Sequence, residues 1–242
     1  MKLQDIYSPR ILNIFCDASV RLSGNVYSSC YGAIAVSCNQ EIDRICRVNY
    51  DSTNNNGEIK AIRAGICLAI KYQYQFDQIN LFSDSQISLF GIRDRILNWS
   101  CNPNTGTVYN ASGTKVFSQD VYIDIVNLIV LYNLRINMFH QKGHVDFSKS
   151  KDRMKAAHVF ITSNGIRNKV DFDLIRYISI YNDKVDLETK RILQRTDTVQ
   201  NKIIEPIKFV PVNFNQLMNE YSKIKSGGLF KWAQIKSKHK DN

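Results

Sequence analysis

No apolar run among the 242 residues is long enough to cross a bilayer, which argues against a membrane-spanning chain. The opening residues Met1-Lys2-Leu3-Gln4-Asp5 lack the apolar core of a secretory leader, so a cytoplasmic protein is expected. There is no C-x-x-C pair. The six cysteines, at 16, 30, 38, 46, 67 and 101, have mostly apolar neighbours and read as small reduced core residues. None of the four histidines falls at ligand spacing with them, which argues against zinc. No internal repeat is visible. Acids are the scarcer charges, with 22 Asp and Glu against 32 Lys and Arg, for a net charge of +10. That surplus suits a polyanionic partner, because neutralising phosphates releases condensed counterions. Charge alone is equally compatible with a basic surface that only aids solubility.

The residues that are present describe one sizeable core and an appendage. Ile11-Leu12-Asn13-Ile14-Phe15-Cys16 is a short apolar run ending in Asp17 and reads as a buried strand. After a turn around Ser23-Gly24-Asn25, Tyr31 to Val36 and Ile45 to Tyr50 supply two further strands. The polar cluster Asp51-Ser52-Thr53-Asn54-Asn55-Asn56-Gly57 offers caps for a helix with apolar residues at 59, 62, 66, 69 and 70. Ile79 to Ser83 reads as a strand, Asp84-Ser85 opens a helix to about Trp99, and Cys101 to Gly113 reads as loop. Val121 to Tyr132 has helical spacing, Arg135 to His140 alternates like a strand, and Leu174 to Gln194 reads as helix. Three hairpin-joined strands followed by β-α-β units imply an α/β fold with a mixed sheet flanked by helices.

Three acids take comparable places: Asp17 and Asp84 at strand ends, Glu58 at a helix start. Open α/β sheets gather their sites beyond strand ends. Carboxylates brought together there repel one another unless cations neutralise them, and their hard oxygens suit Mg²⁺. Spacing alone would leave these as three scattered acids among 22.

The local sequence around each acid resembles type 1 ribonuclease H. Phe15-Cys16-Asp17-Ala18-Ser19 is similar to that family's first catalytic strand, with Ala18 where Gly is usual. Tyr31-Gly32-Ala33-Ile34, Thr53-Asn54-Asn55 before Glu58, Ser83-Asp84-Ser85-Gln86 and Lys142-Gly143-His144 follow in family order over residues 11–144. The family's fourth acid, in N-x-x-A-D, is matched by Asn182-Asp183-Lys184-Val185-Asp186, read as the head of a helix. This requires an insertion at about 145–175, whose closure entropy grows only slowly with length. Asp146 is the fallback.

The resemblance implies an RNase H-like fold with a five-stranded sheet, over residues 1–194, and a basic C-terminal extension over 195–242. It implies an enzyme that cuts the RNA strand of RNA–DNA hybrids with two Mg²⁺ ions, or Mn²⁺, held by Asp17, Glu58, Asp84 and Asp186. His144 would assist catalysis. Asn54, Asn55 and Gln86 would contact the hybrid's minor groove, and Asn25 and Thr53 its DNA phosphate. Capping and turn formation compete with contact as the roles of Asn25 and Asn54. The family's basic handle is poor in lysine here, near Lys115-Val116, and the Lys-rich end with Phe230 and Trp232 is a candidate substitute grip. Another nuclease substrate and a non-catalytic binding or assembly module are the alternatives.

Overall fold

The computed structural model describes residues 6–23, 26–50, 53–167, 170–195 and 213–226. Asn25, Pro206, Pro211, Phe230 and Trp232 lie outside the described residues, as do the last lysines. A five-stranded sheet forms from β1 (Ile11–Ser23), β2 (Val26–Ser37), β3 (Gln40–Tyr50), β4 (Gln78–Ser83) and a later strand, β7 (Asn137–His140). The spatial order is β3-β2-β1-β4-β7, with β1–β2 and β2–β3 antiparallel and β1–β4 and β4–β7 parallel. This is the mixed α/β sheet that the strand order implied.

Helices cover both faces. On one face, α1 (Asn54–Tyr72) and α3 (Gln119–Leu131) bury Ile59, Ile62, Ile66, Ile125, Val126 and Ile129 against Leu12, Ile14 and Leu81. On the other, α4 (Ser150–Ser163) and α5 (Phe172–Arg195) close over Phe15, Ile34 and Phe82. Phe15 and Phe82, paired in register on β1 and β4, stack at 5.0 Å, and Tyr181 of α5 stacks on Phe15 at 5.2 Å. Burial of such rings favours the fold by roughly 25 cal/mol per Å² of apolar surface.

Several boundaries differ from the sequence expectation. The strands β1, β2 and β3 run longer, because their outer ends carry polar residues that an apolar count does not register. The helix expected from Asp84 to Trp99 breaks up: α2 (Gln86–Phe90) gives way to a π turn at Gly91–Arg95 and a 3₁₀ turn at Ile96–Asn98. The expected loop beyond Cys101 holds a small hairpin of β5 (Ser100–Cys101) and β6 (Val108–Tyr109). Residues 145–175, read as an insertion, carry α4, whose Ala156 and Phe160 are buried in the second core. Within the basic extension, α6 (Phe214–Ile224) packs onto the first core through Phe214, Leu217, Met218 and Tyr221, and the Tyr221 hydroxyl donates to the Ile92 carbonyl at 3.1 Å. A truncation beginning at residue 221 would therefore remove a core side chain along with the lysines.

Candidate active site

The floor of the site follows from unequal strand lengths. β4 stops at Ser83, paired with Cys16, while β1 continues for seven more residues alongside β2 alone. Asp17 is the first β1 residue beyond the β4 pairing, and Asp84 is the first residue after β4. Asp17 is thus inside a longer strand rather than at its end, and it borders the opening left by β4. Glu58 enters from above, in the second turn of α1 rather than at its start. Thr53 caps that helix, with Oγ1 accepting from the Asn56 amide at 3.4 Å.

Two glycines let the parts approach. A Cβ at Gly57 would lie 3.1 Å from the Ala18 Cβ, so Gly57 accommodates the methyl that Ala18 adds to the strand. A Cβ at Gly143 would run into the Asp84 carboxylate, so the loop after β7 can lie against that acid only without a side chain there.

Carboxylate oxygens of Asp17, Glu58 and Asp84 lie within 4.8 Å of one another. They open into a cavity of about 600 Å³ whose walls include Asn54, Asn55, Gln86, His144, Asp186 and Lys190. Glu58 Oε2 is buried and has no hydrogen-bond partner among the described residues. Burial, then the charge of Asp84, pushes the Asp17 carboxyl up to about 8; the Ala18 amide on its Oδ1, at 2.7 Å, opposes this. Burial, then Asp17, Asp84 and Asp186, pushes Glu58 up to about 9. Burial raises Asp84 too, against a hydrogen bond from Asn182 and the proximity of His144. A set of buried and half-buried, all-oxygen, mutually repelling ligands, one oxygen of which lacks a partner among the described residues, fits a hard divalent cation. Among the described residues these three are the one group of acidic, His or Cys side chains close enough to hold an ion in common.

Asp186 reaches the same cavity from the far wall. It sits well inside α5, not at a helix head, because α5 begins as early as Phe172. Its carboxylate is held by Lys190 Nζ at 2.6 Å and by the Ser19 hydroxyl at 3.2 Å, with His144 Nδ1 3.9 Å away. Asp146 is elsewhere. It accepts from the Ser148 amide and hydroxyl and pairs with Lys149 in the turn before α4, contacts that hold its carboxyl down near 2. His144 is exposed and its backbone takes a left-handed φ of 49°. Asn54, Asn55 and Gln86 are exposed along the cavity, whereas Thr53 is not among its lining residues. Sequence reasoning passed over Lys190, although its i+4 spacing from Asp186 on a helix signals the pair. It also passed over Gln141 and Asn182 as neighbours of Asp84.

The RNase H family model matches residues 9–155, more than half of the chain. No curated protein matches. Among solved structures, the chain is similar to a foamy viral protease-reverse transcriptase in complex with dsDNA, with 16% identity over 65% of this chain and 96% of that one and a TM-score of 0.44. It is similar to LC11-RNase H1 in complex with an RNA/DNA hybrid, at 12% identity over 61% and 89%, TM-score 0.39. It is also similar to RNase H1 from the halophilic archaeon Halobacterium salinarum, at 16% identity over 62% and 93%, TM-score 0.38. On the family match, which spans Asp17, Glu58, Asp84 and His144, the chain belongs to the RNase H family.

Proposed function

We propose that this ribonuclease H hydrolyses the RNA strand of RNA–DNA hybrids, leaving 5′-phosphate and 3′-hydroxyl ends. The observation that carries the reading is the convergence of Asp17, Glu58 and Asp84 oxygens within 4.8 Å at the floor of an open cavity. Two divalent ions, Mg²⁺ or Mn²⁺, would activate the attacking water and stabilise the departing 3′ oxygen. Asp17, Glu58 and Asp84 would hold one ion, and Asp17 with Asp186 the other.

The chain's own groups do the rest. Asn54, Asn55 and Gln86 offer amides along the cavity. Such groups can both donate to and accept from a 2′-hydroxyl, the feature that separates RNA from DNA. Thr53 and Asn25 would contact DNA phosphate, Thr53 in addition to capping α1. His144, exposed beside Asp186, would assist water handling or product release. Catalysis belongs to residues 1–194 in this reading, with 195–242 as a basic extension that includes α6, and the enzyme works in the cytoplasm.

Asn55→Ala should lower hybrid cleavage about tenfold while shifting unfolding free energy by no more than about 0.5 kcal/mol, as for an exposed side chain away from the core. Cleavage rates set beside urea melts check this; equal losses in both would assign Asn55 to stability. The deciding assay compares end-labelled RNA–DNA hybrid, double-stranded DNA, double-stranded RNA and single strands in Mg²⁺. Cleavage of only the hybrid's RNA is expected, and Asp84→Asn controls for contaminating nuclease. Cleavage of another substrate with the hybrid intact would replace the reading with a different nuclease on this fold. A folded protein that cut nothing in Mg²⁺ or Mn²⁺ would be a binding or assembly module.

A further inference from the structure

Asp84 is held from behind by a relay of two amides. β7 ends at His140, and the next residue, Gln141, is buried and donates its backbone amide to the Ser83 carbonyl at 3.1 Å. Its side-chain Nε2 donates to Asn182 Oδ1 at 2.5 Å, and Asn182 Nδ2 donates to Asp84 Oδ2 at 3.4 Å. Gln141 Oε1 is buried without a partner among the described residues. Asn182 is also buried, one helical turn before Asp186 on α5.

The direction of the relay follows from chemistry. A carboxylate only accepts, so Asn182 must present its NH₂ to Asp84 and its oxygen to Gln141. Gln141 must then present its own NH₂, leaving its oxygen unmatched. That unmatched oxygen is the cost of keeping the amide turned this way. Of the residues from the end of β7 onward that approach Asp84, His140 Nε2 lies against the Asp84 backbone carbonyl at 3.2 Å, and Gly143, beside Oδ2, offers no side chain.

We infer that Gln141 and Asn182 are positioning residues which fix the Asp84 carboxylate for a divalent cation and tie it to the α5 turn that carries Asp186. The inference rests on the metal-binding reading proposed above and adds the residues that set its geometry. Partners behind a ligand are worth about 10–100-fold in metal affinity when removed.

The test is Mn²⁺ binding to the full chain by calorimetry, alongside thermal melts in EDTA and Mn²⁺-dependence of hybrid cleavage. Gln141→Leu keeps a buried side chain of similar length without a donor, and Asn182→Ala removes the contact to Asp84. Both should weaken Mn²⁺ binding about tenfold or more. The Mn²⁺ needed for half-maximal cleavage should rise in step, with the rate at saturating Mn²⁺ falling less. Gln141→Leu combined with Asn182→Ala should be no worse than Asn182→Ala, since the relay is already cut. Wild-type Mn²⁺ affinity in both single variants, with lower melting temperatures alone, would overturn the inference and leave the amides as packing. Should Gln141→Leu fail to fold, Gln141→Met gives the same reading. A wild type that bound no Mn²⁺ would overturn the inference together with the metal reading. A wild type that bound Mn²⁺ but left the hybrid uncut would sink only the hybrid substrate, and weakened Mn²⁺ binding in the variants would still support the relay.

Discussion

Replacing Asp17 by Asn is expected to lower hybrid cleavage by about 10³-fold or more and, in the same protein, to raise the melting temperature of the metal-free fold above neutral pH. The first half follows from position. Asp17 shares the cluster with Glu58 and Asp84 and also feels the charge of Asp186, and it is the carboxylate proposed to serve both ions. An amide offers one neutral oxygen in place of a charged pair, and losing several kcal/mol of charge stabilisation corresponds to roughly that factor in rate. The second half follows from electrostatics. Burial and the charge of Asp84 hold the Asp17 carboxyl up near 8, so ionising it without a cation costs folding free energy. The amide introduced by Asp17→Asn would keep the Oδ1 acceptor for the Ala18 backbone N–H and remove a repulsive charge from Glu58. Each kcal/mol gained should raise the melting temperature by about 2–4 °C in a chain of this size. Cleavage assays and melts in EDTA on one preparation decide the matter. If the variant were as unstable as it is inactive, its inactivity would report unfolding and say nothing about metal.

How much of this was legible beforehand varies with the physics of each element. The two helices with broad apolar faces and the apolar halves of the strands could be read directly, because burial writes its period into the sequence. The extensions of β1 and β2 past the sheet centre could not, since there burial no longer follows polarity: Ser19 and Ser29 are buried, while Leu22 and Tyr27 are exposed. The break of the second helix into a π turn has a tertiary cause: a Cβ at Gly91 would collide with the Tyr122 ring, and Arg93 turns inward to the Met138 and Ser163 carbonyls and to Asn164. No local pattern encodes those partners. α4 and α6 are helices whose polar composition hides a few buried residues, Phe160 in one and Tyr221 in the other.

The site divides along a similar line. Asp17, Glu58 and Asp84 were identifiable from their local motifs, and the fold brings their oxygens together. Asp186 was separable from Asp146 only by the Asn-x-x-Val-Asp context, and the helix α5 then carries it to the cavity while Asp146 stays in a surface turn. Gln141 escaped notice, and Asn182 was read only as part of the motif around Asp186, because the partner of a buried amide has no sequence signature; what marks the pair is a contact between a strand end and a helix 41 residues later. Ala18 shows the reverse case. A departure from the family pattern on β1 is matched by Gly57 on α1, a compensation visible only once the two elements are seen against each other.

Without divalent ions, the fold should lose stability as pH rises from about 6.5 to 8.5, and Mg²⁺ should restore more of it at the upper end than at the lower. The sign is set by the two buried acids. Asp17 and Glu58 have folded pKa values of about 8 and about 9, above the ordinary 3.8 and 4.5, so the folded state binds more protons than the unfolded one throughout this interval. A raised carboxylate contributes its stability in full below the unfolded pKa and loses it as pH climbs through the folded value. A cation binds the deprotonated carboxylates and must displace those protons, so its affinity grows over the same range. At a hundredfold excess over its Kd, Mg²⁺ would add about 2.7 kcal/mol, or roughly 5–10 °C. Asp146, whose carboxyl is lowered to about 2, has nothing to lose here, since a depressed acid gives up its stability only on acidification. Burial lowers the His140 pKa, so any contribution it makes is gained as pH rises and opposes the trend. Cys30 and Cys46, pushed by burial to about 12 and about 11, act in the same direction as the acids once thiols of the unfolded chain begin to ionise. Asp17→Asn separates the two sources, because it keeps every thiol and removes one raised carboxyl. Its melting temperature in EDTA should fall less steeply with pH, and its gain from Mg²⁺ should shrink. Parallel slopes for wild type and variant, with equal gains from Mg²⁺ at both ends of the range, would mean that the acidic cluster neither holds the protons nor binds the ion.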